Sequence, residues 1–78
     1  MKKVIDLHGL THEESLVKVE EYLLLNSFDN DLDLELITGK SPKLQQKIIN
    51  QILNKHNYNY YIPDYNRGVM FIADTRIN

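Results

Sequence analysis

Two stretches of this chain share one form. Each is a short alternating segment that runs into a glycine and then into a capped helical pattern. The first is Val4-Ile5-Asp6-Leu7-His8-Gly9, with Thr11 after it. The second is Leu32 to Thr38, with Gly39-Lys40-Ser41-Pro42-Lys43 after it. Two strands joined through a helix and lying parallel in one sheet need a right-handed crossover. Open α/β sheets of this kind gather ligands beyond the carboxyl ends of their parallel strands. The strand–turn–helix form therefore constrains the fold and marks where a site would sit.

The remaining pattern fills in around these two junctions. Lys3 to His8 reads as a strand, with Ile5 and Leu7 on one face and Val4, Asp6 and His8 on the other. Thr11-His12-Glu13-Glu14 has the form of a capping box, so a helix is expected from there to about Asn26. Its apolar stripe is Leu16, Val19 and Leu23, widened by Val17, Tyr22 and Leu24. A polar loop follows to Asp31, with Phe28 expected against the core edge. In the second strand, Leu32, Leu34 and Leu36 share one face, and Asp33, Glu35 and Ile37 the other. Ser41 is a good N-cap with Pro42 at the first helical position. Leu44, Ile48 and Ile52, supported by Ile49 and Leu53, carry that helix to His56-Asn57. Tyr58 to Ile62 reads as a third strand, Pro63 to Gly68 as a turn, and Gly68 to Asp74 as a fourth strand. The order is βαβαββ. One continuous apolar face per strand predicts a two-layer α/β sandwich: a four-stranded sheet with both helices on one side and the other face open. Residues 1–78 read as a single domain.

A chain of 78 residues supports one small core. The absence of cysteine excludes a disulfide framework and a cysteine-based zinc site. The start of the chain meets a charge too early for a signal peptide, and no apolar run approaches a membrane span. The expectation is a cytoplasmic protein with no membrane contact. A net charge of −2 argues against a generic, strongly basic nucleic-acid binder, but the charge is unevenly placed. Between Glu13 and Glu35 stand Glu13, Glu14, Glu20, Glu21, Asp29, Asp31, Asp33 and Glu35, against Lys18 alone. Between Leu36 and Pro63 stand Lys40, Lys43, Lys47 and Lys55, with no acid. The second half can meet a polyanion while the first helix stays acidic.

If the two strands are neighbours, Asp6, His8, Thr38 and Lys40 lie in one region. Asp6 and His8 on one strand face suit acid, base or water-orienting roles. The simpler reading of the residues, and the one preferred on them alone, is a plain turn, with Asp6 accepting turn N–H groups and His8 packed on the backbone. Lys40 with helix-end amides can neutralise a phosphate. Lysines at a helix N-terminus oppose its dipole, and Lys43 and Lys47 repel at i, i+4. An external anion resolves that conflict; solvated, screened lysines are the simpler reading. Gly39-Lys40-Ser41 is like the end of a Walker A loop, but the first glycine of that motif falls on Leu34, which excludes it. A metal set of Asp6, His8 and His12 lacks a further ligand and is not adopted. Tyr58, Tyr60, Tyr61 and Tyr65 can stack on bases, or be ordinary residues of a half-buried sheet.

Ile5-Asp6-Leu7-His8-Gly9-Leu10-Thr11, followed by Glu13-Glu14-Ser15, resembles the Leu-Asp-Leu-His-Gly opening of Smr (small MutS-related) domains. Ile37-Thr38-Gly39-Lys40 falls where that family has His-Gly-Lys-Gly. Arg67-Gly68-Val69-Met70-Phe71-Ile72 is similar to its late glycine and hydrophobic strand. The resemblance runs from Val4 to about Ala73. It implies the fold of the C-terminal domain of translation initiation factor three, with strand order 1-2-4-3 and the last strand antiparallel. It also implies DNA or RNA binding and, in several members, DNA nicking or RNA cleavage. By motif position, Asp6, His8 and Thr38 take the catalytic places. Gly9, Gly39, Lys40 and Ser41, with Lys43, Lys47 and Arg67 nearby, take the nucleic-acid contacts. Nothing in the sequence selects a metal; Mg²⁺ or Mn²⁺ would belong to a nuclease reading. Thr38 stands in place of the family histidine and Ser41 in place of its last glycine. A threonine hydroxyl can bond a phosphate but cannot serve as an imidazole acid or base. The expectation is a stand-alone nucleic-acid-binding domain whose endonuclease activity is weakened, or otherwise a non-catalytic protein-interaction module.

Overall fold

The computed structural model describes residues 3–26 and 32–73. In chain order the elements are β1 (Lys3–Asp6), α1 (His12–Leu25), β2 (Asp33–Ile37), α2 (Pro42–Ile48), β3 (Asn59–Tyr61) and β4 (Val69–Ala73); a π-helical turn, Ile49–Leu53, follows α2 directly. The sheet order is β1-β2-β4-β3. β1 runs parallel to β2, with Asp6 opposite Ile37, and β4 is antiparallel to both β2 and β3. This is the expected mixed four-stranded sheet of an α/β fold. At their glycine-side ends β1, β2 and β4 are a residue or two shorter than the sequence pattern suggests, because pairing stops where the glycine turns begin; β3 is one residue shorter at each end, and Asp74, the expected end of the fourth strand, lies outside the described residues. Phe28 lies outside the described residues.

The first helix starts where the capping box places it. Thr11 is extended (φ −68°, ψ 164°) and its hydroxyl accepts from the Glu14 amide at 3.1 Å. The Glu14 carboxylate accepts in turn from the Thr11 amide at 2.9 Å. Two donors that a helix start leaves without partners are thus satisfied reciprocally. At the other end, the Asn26 amide and side chain both donate to the Tyr22 carbonyl, closing the last turn.

One core joins the layers. Ile5, Leu7, Leu34, Leu36, Met70 and Ile72 from the sheet side pack with Val19 and Leu23 of α1, Leu44 and Ile48 of α2, and Ile52 and Leu53 of the π turn. Both helices therefore cover the same sheet face. The opposite face carries Val4, Glu35, Phe71 and Tyr61 in one cross-strand row. The Tyr61 and Phe71 rings stack there with centroids 5.1 Å apart.

Two features depart from the sequence pattern. Val17 and Leu24, expected to widen the buried stripe of α1, are exposed; Ser15 is buried instead. Ser15, Val19 and Leu23 follow at i, i+4 and i+8 and define the inward line, while Val17 and Leu24 stand on the far side. The second departure lies in the helix after Pro42, which is not α-helical throughout. The Asn54 amide reaches the Ile49 carbonyl at 2.8 Å, an i→i−5 bond. The wider turn brings Leu53 beneath Ile48, so that both are fully buried; a continuous α-helix would rotate Leu53 away. Asn57, in the left-handed region at φ 60°, then ends the helical run.

The Ser15 hydroxyl is buried and has no hydrogen-bond partner among the described residues. Alanine removes that unpaired group and is the better helix former. Ser15→Ala should raise the unfolding free energy by about 1 kcal/mol in urea denaturation. A loss of stability would mean that the hydroxyl is held by a partner.

Candidate functional site

The parallel pairing of β1 with β2 carries past the strand ends, where the Leu7 amide donates to the Ile37 carbonyl at 2.9 Å. The two glycine turns are therefore side by side. In the first, Asp6 Oδ1 accepts from the His8 amide at 2.8 Å, and the Leu10 amide closes onto the Leu7 carbonyl at 3.2 Å. Gly9, at φ 83°, takes the positive-φ position that a type II turn requires. Asp6 thus acts as a turn former with one carboxylate oxygen, and both Asp6 and His8 are exposed.

The second turn is built differently. The Thr38 and Gly39 amides both donate to the Gly68 carbonyl, at 2.9 and 3.0 Å. Two residues of one strand oppose one of its partner, the arrangement of a β-bulge, and the chain bends out of the sheet there. Gly39 has φ 71°, which a side chain would disfavour. The Ser41 amide then bonds the Gly39 carbonyl at 2.8 Å, and the Ser41 side chain caps the helix through the Leu44 amide at 3.4 Å. Gly68 approaches closely enough that a β-carbon on it would lie 3.4 Å from the Gly39 carbonyl carbon. A larger residue at 68 would push the two loops apart.

Beneath this bend lies a buried polar network. Thr38 is only 7% exposed. Its hydroxyl oxygen lies 2.8 and 3.2 Å from the Gly39 and Gly68 carbonyl oxygens, which compete for its single proton. The same oxygen accepts from Gln45 Nε2 at 2.9 Å. The Gln45 amide group uses its other proton on the Arg67 carbonyl, at 2.7 Å. Three segments are thereby tied together: the end of β2, the first turns of α2, and the loop before β4. Thr38 is a brace in this network and is not turned toward solvent. Gln45, which is no part of the apolar stripe expected for that helix, is as buried as Thr38. The signal that could have found it is its i, i+4 relation to Ser41 and its place beside Leu44 on the inward side.

The cations divide into two groups. Lys40 and Lys43 are exposed and make no ion pair with another described residue. Lys47 instead donates to His12 Nδ1 at 3.1 Å, linking α2 to the start of α1. Arg67 folds back onto its own loop, 3.5 Å from both the Ile62 carbonyl and Asp64; that pair is open to water and weak. Of the amides near the second turn, those of Gly39, Ser41 and Leu44 already have partners within the chain. A ligand there would meet chiefly the Lys40 and Lys43 side chains. Among the described residues, no three His, Asp or Glu side chains come together to hold a metal ion.

Comparison of the chain with protein-family models, curated proteins and solved structures gave no match in any of the three. Among the described residues, no helix is long and apolar enough to cross a membrane.

Replacing Gln45 by leucine leaves Thr38 Oγ1 and the Arg67 carbonyl short of a donor in a buried place. Gln45→Leu should lower the unfolding free energy by about 2–3 kcal/mol. Adding Thr38→Val to it should cost less than Thr38→Val does alone, since a partner already lost cannot be lost again. Additive costs in that double-mutant cycle would contradict the network.

Proposed function

We propose that this chain is an Smr-like domain, with the fold of the C-terminal domain of translation initiation factor three, that binds DNA or RNA along the edge formed by the ends of β1 and β2. The reading rests on one observation above the others. The register of β1 against β2 sets the Asp6-Leu7-His8-Gly9 turn beside Gly39-Lys40, with Lys40 and Lys43 exposed next to it and not neutralised by a described acid. A phosphate backbone is the polyanion that two such lysines on a rigid bend suit, and its affinity would be mainly electrostatic. The order of the motifs along the chain and the strand order 1-2-4-3 both support the family reading.

The same edge would be the place for strand cleavage. His8 is the group there able to move a proton, and Asp6 would orient it or a water with the carboxylate oxygen left over from the turn. Thr38 acts in this reading by holding the Gly39–Lys40 bend in place. Gly9, Gly39 and Ser41 shape the two turns; Lys47 and Arg67 lie at the rim, each already engaged within the chain. This distribution favours binding as the principal activity and cleavage as a weak one.

Binding to supercoiled plasmid, single-stranded DNA and structured RNA, followed across a salt series, tests the reading. Affinity should fall steeply with salt. Lys40→Ala with Lys43→Ala should weaken binding to every sequence and reduce the log–log salt slope by about 2. Salt-insensitive binding, or none, would overturn the proposal. Plasmid nicking, assayed with and without Mg²⁺ or Mn²⁺, should disappear in Asp6→Ala with His8→Ala; nicking that persists would place the chemistry elsewhere.

A further inference from the structure

The outward side of α1 breaks the rule that the rest of the helix follows. A surface helix normally turns polar residues to water opposite its core stripe. Here Val17, Leu24 and Leu25 are 65%, 58% and 78% exposed. At about 100° per residue, Val17 and Leu24 lie within roughly 20° of each other, nearly opposite Ser15 and Val19. Acids line both sides of this strip, with Glu13 and Glu20 on one flank and Glu14 and Glu21 on the other; Lys18 stands beyond Leu25. Glu14 keeps its capping bond, and Glu20 Oε2 lies 3.6 Å from His56 Nε2. These contacts fix side chains along the strip and leave its charge predominantly negative.

We propose that this face of α1 is a docking surface for a basic amphipathic helix of a protein partner. The partner's apolar side chains would sit on Val17 and Leu24, and its Lys or Arg side chains would meet the two acidic flanks. Charge decides among the occupants. Nucleic acids and anionic membranes carry the same sign as the flanks and are repelled. A second copy paired through α1 about a two-fold axis would set these acids against one another. A cationic helix satisfies the apolar strip and both flanks together, in the helix-on-helix mode of peptide recognition. The surface shares no residue with the Lys40–Lys43 edge and is of opposite sign, so occupancy of one does not require the other.

The test uses the full chain, ¹⁵N-labelled, and an amidated Leu/Lys peptide of about 18 residues patterned as an amphipathic helix. A peptide of the same composition in scrambled order and a Leu/Glu peptide of the same pattern serve as controls. The Leu/Lys helix should bind and shift the amide signals of residues 13–25, while the two controls should not. Val17→Ser with Leu24→Ser, and separately Glu13→Lys with Glu21→Lys, should each weaken binding by about tenfold or more without changing the far-ultraviolet circular dichroism. The inference is overturned if the Leu/Lys helix fails to bind, or if the scrambled peptide binds as tightly. It is equally overturned if the shifts map to another surface, if the variants bind as the parent does, or if the free chain self-associates through α1.

Discussion

The carbonyl of Gly68 receives three donors: the amides of Thr38 and Gly39 and the Thr38 hydroxyl. Much of the site's geometry depends on that concentration of bonds. It ends the β2–β4 ladder with two residues against one and directs the chain out of the sheet toward α2. It brings the loop before β4 against the second glycine turn, where the lack of a side chain on Gly68 permits the approach. Gln45 reaches back from α2 to the same cluster, so that helix, strand end and loop cannot move independently. Fully paired buried polar groups rigidify their surroundings, and a partly paired set would be costly in a domain this small. The position of Lys40 is a consequence of this brace as much as of its own side chain.

The order of the elements along the chain and both helix starts were legible because each rests on local chemistry; the strand order 1-2-4-3 was implied by the resemblance to Smr domains and not by local pattern. Period-two alternation marks β1 and β2, a reciprocal capping box marks α1, and Ser41-Pro42 marks α2. Glycines with positive φ close both parallel strands, and their places in the sequence announced the turns. What escaped was decided by tertiary context. Gln45 looks like a surface residue until Thr38 and the Arg67 carbonyl, far from it along the chain, are found beside it. Ser15 carries no apolar signal, yet it sits on the inward line. Val17 and Leu24 carry that signal and face outward, so a count of apolar residues widened the stripe on the wrong side. The π turn has no sequence mark of its own and becomes visible only when Ile48 and Leu53 are both seen to be buried.

Charge segregation along the chain becomes segregation on the surface. The acids of α1 flank its outward side, and Lys40 and Lys43 stand exposed at the start of α2. The two regions meet at one point, where Lys47 donates to His12 and draws one cation away from the free edge. A net charge near zero therefore conceals two surfaces of opposite sign, and the whole-chain charge is a poor guide to either.

The identity of residue 38 bears most directly on what the edge can do. A small hydroxyl fits a nearly closed space in which one proton is shared by two carbonyl oxygens and one lone pair is taken by Gln45. The brace so formed leaves no titratable group at the end of β2. Of the three histidines, His56 lies against Glu20 at the other end of the second helix, and His12 accepts from Lys47. His8 is left with its ring exposed at the strand ends, beside an Asp6 that already serves the turn. An edge with two exposed lysines, hydrogen-bonded turns and a single imidazole beside one half-engaged carboxylate is better suited to holding a phosphate backbone than to breaking it, because holding needs only charge in the right place, while cleavage needs paired proton donors and acceptors as well.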